Sequence, residues 1–126
     1  MSITQQIQTA YQSATSYPDL VKKLIAIGVE GYTVEVSTGI IFYRFIEGEA
    51  HIHLSNNHPA TIATHFSEEL TIKAVRDNQQ GKTDFPGFMS DIAQAGVRFY
   101  EAIFTGDNKR VTYIGSGGYY EEKIPV

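Results

Sequence analysis

All four histidines of the chain, His51, His53, His58 and His65, fall within one window of fifteen residues. Imidazole is the commonest protein ligand for zinc and related ions, and three histidines around an open coordination position suit a catalytic metal. His51 and His53 are two apart, so on a strand they point to the same side. A hairpin with Ser55 opposite Thr61, closed by residues 56–60, would place His51 opposite His65 and His53 opposite Ala63. One register would then gather three histidines on a water-facing side and turn Ile52, Leu54, Ile62 and Phe66 toward a core. The candidate metal ligands are therefore His51, His53 and His65, for a divalent ion such as zinc. Glu49 on the same side would add a carboxylate, and His58 would hang over the loop. The competing reading is the solvated side of an edge hairpin, since no standard metalloenzyme spacing is present.

Other chemistries are narrowed by what the chain contains. With no cysteine there is no disulfide framework, thiolate metal site or cysteine nucleophile. Gly115-Ser116-Gly117-Gly118 has the glycines of a phosphate loop, but a strand rather than a helix is expected to follow, which makes it a hairpin turn. No serine sits in a nucleophile elbow. The net charge is −4 and the only basic doublets are Lys22-Lys23 and Lys109-Arg110, so nucleic acid is not an expected partner. The first residues carry neither a basic start nor an apolar run, and no stretch approaches the roughly 18 apolar residues of a membrane span. A cytoplasmic protein without a membrane partner is expected.

The elements that must position these residues follow from periodicity and caps. Ile3, Ile7, Ala10, Tyr11 and Ala14 share a helical face, predicting a first helix over 3–14. Ser16 caps a second helix with Pro18 in its first turn, and Gly28 ends it. Alternation from Gly31 predicts a first strand, the apolar run Ile40 to Phe45 a central strand covered by helices, and Glu49 to Leu54 a third strand. Thr61 to Phe66 reads as a fourth strand, with a helix from Pro59 as the alternative. Ser67-Glu68-Glu69 starts a third helix that runs to about Gln79 and stops at Gly81. Asp84 caps a fourth helix with Pro86 in its first turn and Gly96 at its end. Strands follow through Phe104, over Arg110 to Ile114, and over Tyr119 to Ile124.

This order contains a repetition. Thr15 to Tyr32 and Thr83 to Tyr100, offset by 68, share Thr, Pro, Gly, Val and Tyr at five of 18 positions, at the helix starts and stops. The reading is a single domain over 1–126: one repeat over about 1–58, an extra strand over 61–66, and a second repeat over 67–126. The fold class is α+β, an antiparallel sheet of about six or seven strands with four helices mainly on one face, built from two tandem helix-helix-strand-strand-strand units. An approximate two-fold axis should relate the halves. Counting from Gly48 and Gly118, Glu121 and Lys123 would match His51 and His53, so the shared architecture does not require histidine there.

The segments Gln80-Gly81-Lys82-Thr83-Asp84-Phe85-Pro86-Gly87-Phe88, Ala95-Gly96-Val97, Arg110-Val111-Thr112-Tyr113 and Glu122-Lys123-Ile124-Pro125 resemble a small bacterial and phage family known as domain of unknown function 1398. Its members are sometimes labelled phage envelope protein. The resemblance covers nearly the whole chain and implies no activity, catalytic residue or cofactor. Two functions are open on the residues. One is a non-enzymatic binding or interaction module, dimeric through an exposed strand edge or the Tyr119-Tyr120 region. The other is a small metal-dependent or histidine-using enzyme or sensor centred on His51, His53 and His65.

Overall fold

Each helix begins where a short polar side chain can accept from a free amide three residues on. In the computed structural model, which describes residues 2–54 and 60–125, Ser2 caps α1 (Ile3–Ser13) and Ser16 caps α2 (Tyr17–Ala26). Ser67 caps α3 (Glu68–Gln79) and Asp84 caps α4 (Phe85–Gln94). The accepting atoms bond the amides of Gln5, Asp19, Leu70 and Gly87, satisfying donors that the helix itself leaves open. Gly28 and Gly96 follow α2 and α4 with φ of 95° and 85°, the left-handed conformation that lets the chain leave a helix directly into a strand.

Six strands form one antiparallel sheet: β1 (Val29–Glu35), β2 (Ile41–Phe45), β3 (Ala50–His53), β4 (Val97–Ile103), β5 (Arg110–Gly115) and β6 (Gly118–Lys123). Their order is β3-β2-β1-β4-β5-β6. The sheet is thus two three-stranded meanders joined where β1 pairs with β4. The register of that pair has Thr33 opposite Glu101, which are 68 apart (101 − 33). Adding 68 to one partner and subtracting it from the other turns Tyr32/Ala102 into Tyr100/Val34, and Gly31/Ile103 into Phe99/Glu35; all are observed pairs. The pairing therefore has a local two-fold through Thr33 and Glu101. A β-bulge interrupts the ladder at matching places, between Val29 and Gly31 and between Val97 and Phe99.

All four helices cover the same side of the sheet. Tyr32, Val34, Ile41, Tyr43, Tyr100, Ala102, Val111 and Tyr113 are buried on that side against Leu20, Val21, Leu24, Phe88, Met89 and Ile92 from the helices. Leu24 and its counterpart Ile92 (24 + 68) are both fully buried. The other side is open, and the expectation that helices would cover the Ile40–Phe45 run holds for one of its sides only: Phe42 is exposed. Among the described residues no helix is long and apolar enough to cross a membrane.

The strand expected over 61–66 does not form, and neither does the alternative helix from Pro59, whose start lies outside the described residues. From Ala60 the chain instead crosses the end of the sheet. Ala60 N–H donates to the Ser37 carbonyl, Ala63 N–H to that of Ala93, and Ser67 N–H to that of Ala95. Its backbone groups are thus satisfied by loop and helix ends rather than by a ladder. Ile62 is buried beneath this crossing, and Phe66 lies over Gly115 and Gly118, where a Cβ would collide with its ring. Gly96 admits the crossing: a Cβ there would run into the His65 carbonyl. The β-branched residues of the segment serve a plug instead of a strand, and the outer edge of β3 gains no partner from it.

Candidate functional site

The helix-covered side of the sheet carries one ring from every strand. In strand order these are His51, Tyr43, Tyr32, Tyr100, Tyr113 and Tyr120, with successive centroids 6.3, 5.7, 6.4, 5.3 and 6.2 Å apart. Such spacings are those of favourable tilted and stacked aromatic pairs. The helices supply polar ends: Tyr17 Oη lies 2.7 Å from Tyr32 Oη, and Tyr43 Oη donates to Tyr11 Oη at 2.9 Å. Burial pushes the phenols of Tyr17, Tyr32, Tyr43, Tyr100 and Tyr113 above the ordinary tyrosine value.

The row ends differently at its two margins. At β6, the Glu122 carboxylate accepts from the Tyr120 hydroxyl at 3.0 Å, from Gln79 Nε2 at 2.9 Å and from the Arg76 guanidinium. Three donors from two elements fix that strand against α3. At β3, His51 is half-buried and its Nε2 lies 3.3 Å from Thr4 Oγ1 of α1, while His53 is exposed.

The histidines therefore stand on the opposite side from the one expected. Ile41 pairs with His53 and Tyr43 with His51, which puts both imidazoles on the helix-covered side. Ile52 pairs with Phe42 and faces the open side, and Leu54 is exposed too. The parity is dictated by β2, whose Ile41, Tyr43 and Phe45 are buried. An unbroken apolar run gives no alternation from which to choose, so the pattern of the neighbouring strand had pointed the wrong way. His51 and His53 do share a side, as expected. His65 does not join them. It sits beside Gly96 at the head of β4, three strands from β3, or about 14 Å at the usual strand spacing. Glu49 is exposed at the β2–β3 turn, and its carbonyl accepts from the Phe45 amide at 2.9 Å. His58 lies outside the described residues, as does the Ser55 end of the expected hairpin. Among the described residues no three histidine or carboxylate groups are placed to hold a metal ion.

The matching of the two edges also changes. Phe45 pairs with Glu49 across a three-residue turn, whereas Gly115 pairs with Gly118 across two residues. The one-residue difference makes Tyr120 and Glu122, not Glu121 and Lys123, the counterparts of His51 and His53: Tyr43/His51 corresponds to Tyr113/Tyr120, and Ile41/His53 to Val111/Glu122. Tyr119 and Tyr120 are split by the strand alternation, Tyr119 to the open side and Tyr120 to the latched one.

What the sequence reading missed is the exposed apolar surface of the first meander. Phe42, Ile46, Ile52 and Leu54 are 39, 65, 54 and 68 % exposed. Exposed apolar surfaces of this kind often mark places of contact. The signal was present in the apolar run of β2, which is too apolar for a strand with one side in water.

The family described as "Protein of unknown function (DUF1398)" matches residues 5–116. The chain belongs to it. The match covers the first meander, with its open margin, and β4 and β5 of the second; β6 and Glu122 lie past its end. A search of curated proteins found no match.

Proposed function

We propose that this DUF1398 protein is a non-enzymatic, cytoplasmic binding module whose contact surface is the β2–β3 margin of the sheet. The reading rests on one observation: Phe42, Ile46, Ile52 and Leu54 expose their side chains within a single hairpin, whereas the helix-covered side buries its apolar groups. The double variant Phe42→Lys with Ile52→Lys tests it. Its urea midpoint should fall only modestly, because Phe42 and Ile52 are 39 and 54 % exposed, while proteins retained from lysate on the immobilised wild-type chain should be lost. A several-kcal/mol loss of stability, or unchanged retention, would show that the residues serve the fold rather than contact.

The reading as a metal-dependent or histidine-using enzyme or sensor keeps one observation in its favour, the shared side of His51 and His53. Metal analysis of untagged protein, compared between the wild type and His65→Ala, addresses it: a site that includes His65 requires the variant to lose metal.

A further inference from the structure

Among the described residues, the unused feature of this margin is the unpaired outer backbone edge of β3. In an antiparallel ladder, opposed residues alternate between pairs that exchange two hydrogen bonds and pairs that exchange none. The Phe45 amide bonds the Glu49 carbonyl, so the alternation makes Tyr43/His51 and Ile41/His53 the bonded pairs. Ala50 and Ile52, opposite Arg44 and Phe42, then aim their N–H and C=O groups outward, and β3 is the last strand on its side. Natural edges are blunted by charge or proline. The β6 edge follows that rule with Glu121, Glu122 and Lys123, whereas β3 reads Ala-His-Ile-His, with no formal charge when its histidines are neutral.

We propose that a second copy of the chain completes the histidine site, by pairing β3 with β3 of its partner in antiparallel fashion about a two-fold axis at Ile52. This rests on the reading of the β2–β3 margin as a contact surface, and it names the partner and a ligand. Ile52 exchanges both backbone hydrogen bonds with the partner's Ile52, and the contact is self-complementary because the same outward groups meet. On the open side, Ile52 and Phe42 of the two chains merge into one apolar patch, which removes exposed surface from both. On the helix-covered side, His51 lies directly opposite the partner's His53, and His53 opposite the partner's His51. These are non-bonded pairs, whose Cα atoms approach to about 4.5 Å. The two histidines of β3 are by themselves too few for a metal centre, and the described residues of one chain hold no three-ligand group. Four imidazoles on one side of two adjacent strands suit a divalent borderline ion such as zinc, with four nitrogen ligands or three and a water.

Sedimentation velocity of the untagged chain from about 1 to 200 µM, with EDTA or with zinc, tests the proposal. Zinc should tighten dimerisation at least tenfold, and the His51→Ala, His53→Ala double variant should lose that response. Ile52→Pro should be monomeric with zinc present, and it should fold, since the Ile52 amide points away from β2 and the ladder loses no bond. Because the chain has no cysteine, Ile52→Cys adds a reading independent of that variant. On mild oxidation it should form a disulfide-linked dimer, the Cα spacing of a bonded pair being about 5.5 Å and within disulfide range, while Tyr119→Cys should not. A wild type that stays monomeric with zinc at 200 µM overturns the proposal, as does a zinc response that survives loss of both histidines. If partners from lysate are still retained by the wild type and lost in the lysine double variant, the binding-module reading stands without the second copy. If they are not, both fall.

Discussion

The two edges of the sheet occupy equivalent places and have been finished in different ways. At β6 the outermost strand is tied to α3 through Glu122 and its three donors, and its side chains carry charge. At β3 the corresponding positions are His51 and His53, one of them held by Thr4 and the other exposed. The centre of the sheet is alike on both sides of the β1–β4 seam, down to the position of a bulge. The architecture is thus set by the middle of the molecule, and an edge can be closed or left open without altering it.

If that division is right, the largest effects should be central and equal. Leu24→Ala and Ile92→Ala remove counterpart side chains that are fully buried, and each should cost about 2–5 kcal/mol in urea unfolding. A large loss on one side with little on the other would mean that the halves do not share one core.

Alkali reads the same interior. The phenols of Tyr32, Tyr43, Tyr100 and Tyr113 have folded-state values raised by burial above the ordinary value near 10. A group whose folded value is raised holds its proton more tightly when folded. Its contribution is therefore fully present below pH 10 and is lost as pH rises beyond it. In a Tyr119→Phe background, which removes the ring that is 67 % exposed, the main rise of tyrosinate absorbance near 295 nm should be one cooperative step, coincident with loss of circular dichroism. Two separated steps would divide the halves.

The edges should differ by smaller amounts. Glu122→Ala strips an acceptor from three donors and should cost about 1–2 kcal/mol, whereas His53→Ala, at the matching position, should stay within about 0.5 kcal/mol. Equal costs in urea unfolding would remove the contrast between a latched edge and an open one.

Local signals carried most of the fold. Ser16, Ser67 and Asp84 announced helix starts, Gly28 and Gly96 announced helix ends, and each acts through bonds spanning three or four residues, which is why they can be read in sequence. The 68-residue offset of Tyr32 and Tyr100 foretold the equivalent rings at the centre. The candidate site was less legible because it depended on parity and register over longer distances. Whether His51 faced water was decided by Tyr43 on the neighbouring strand, and whether His65 met it was decided by the path of 60–67 over the end of the sheet. The Arg76–Glu122 contact joins residues 46 apart, and nothing local marks it.

The β1–β4 seam has a kinetic consequence. Within a meander, pairs such as Val34 with Ile41 close over a handful of residues, while Thr33 and Glu101 must meet across 68. On the logarithmic scaling of loop closure, that difference in span costs about 2 kcal/mol of chain entropy. Each meander with its helices is then expected to gather first, and their joining to govern the refolding rate. A seam substitution such as Ala102→Gly should slow refolding, whereas Glu122→Ala should chiefly speed unfolding, as the two arms of a chevron plot would report. The motif that doubles the architecture would also set the tempo at which it assembles.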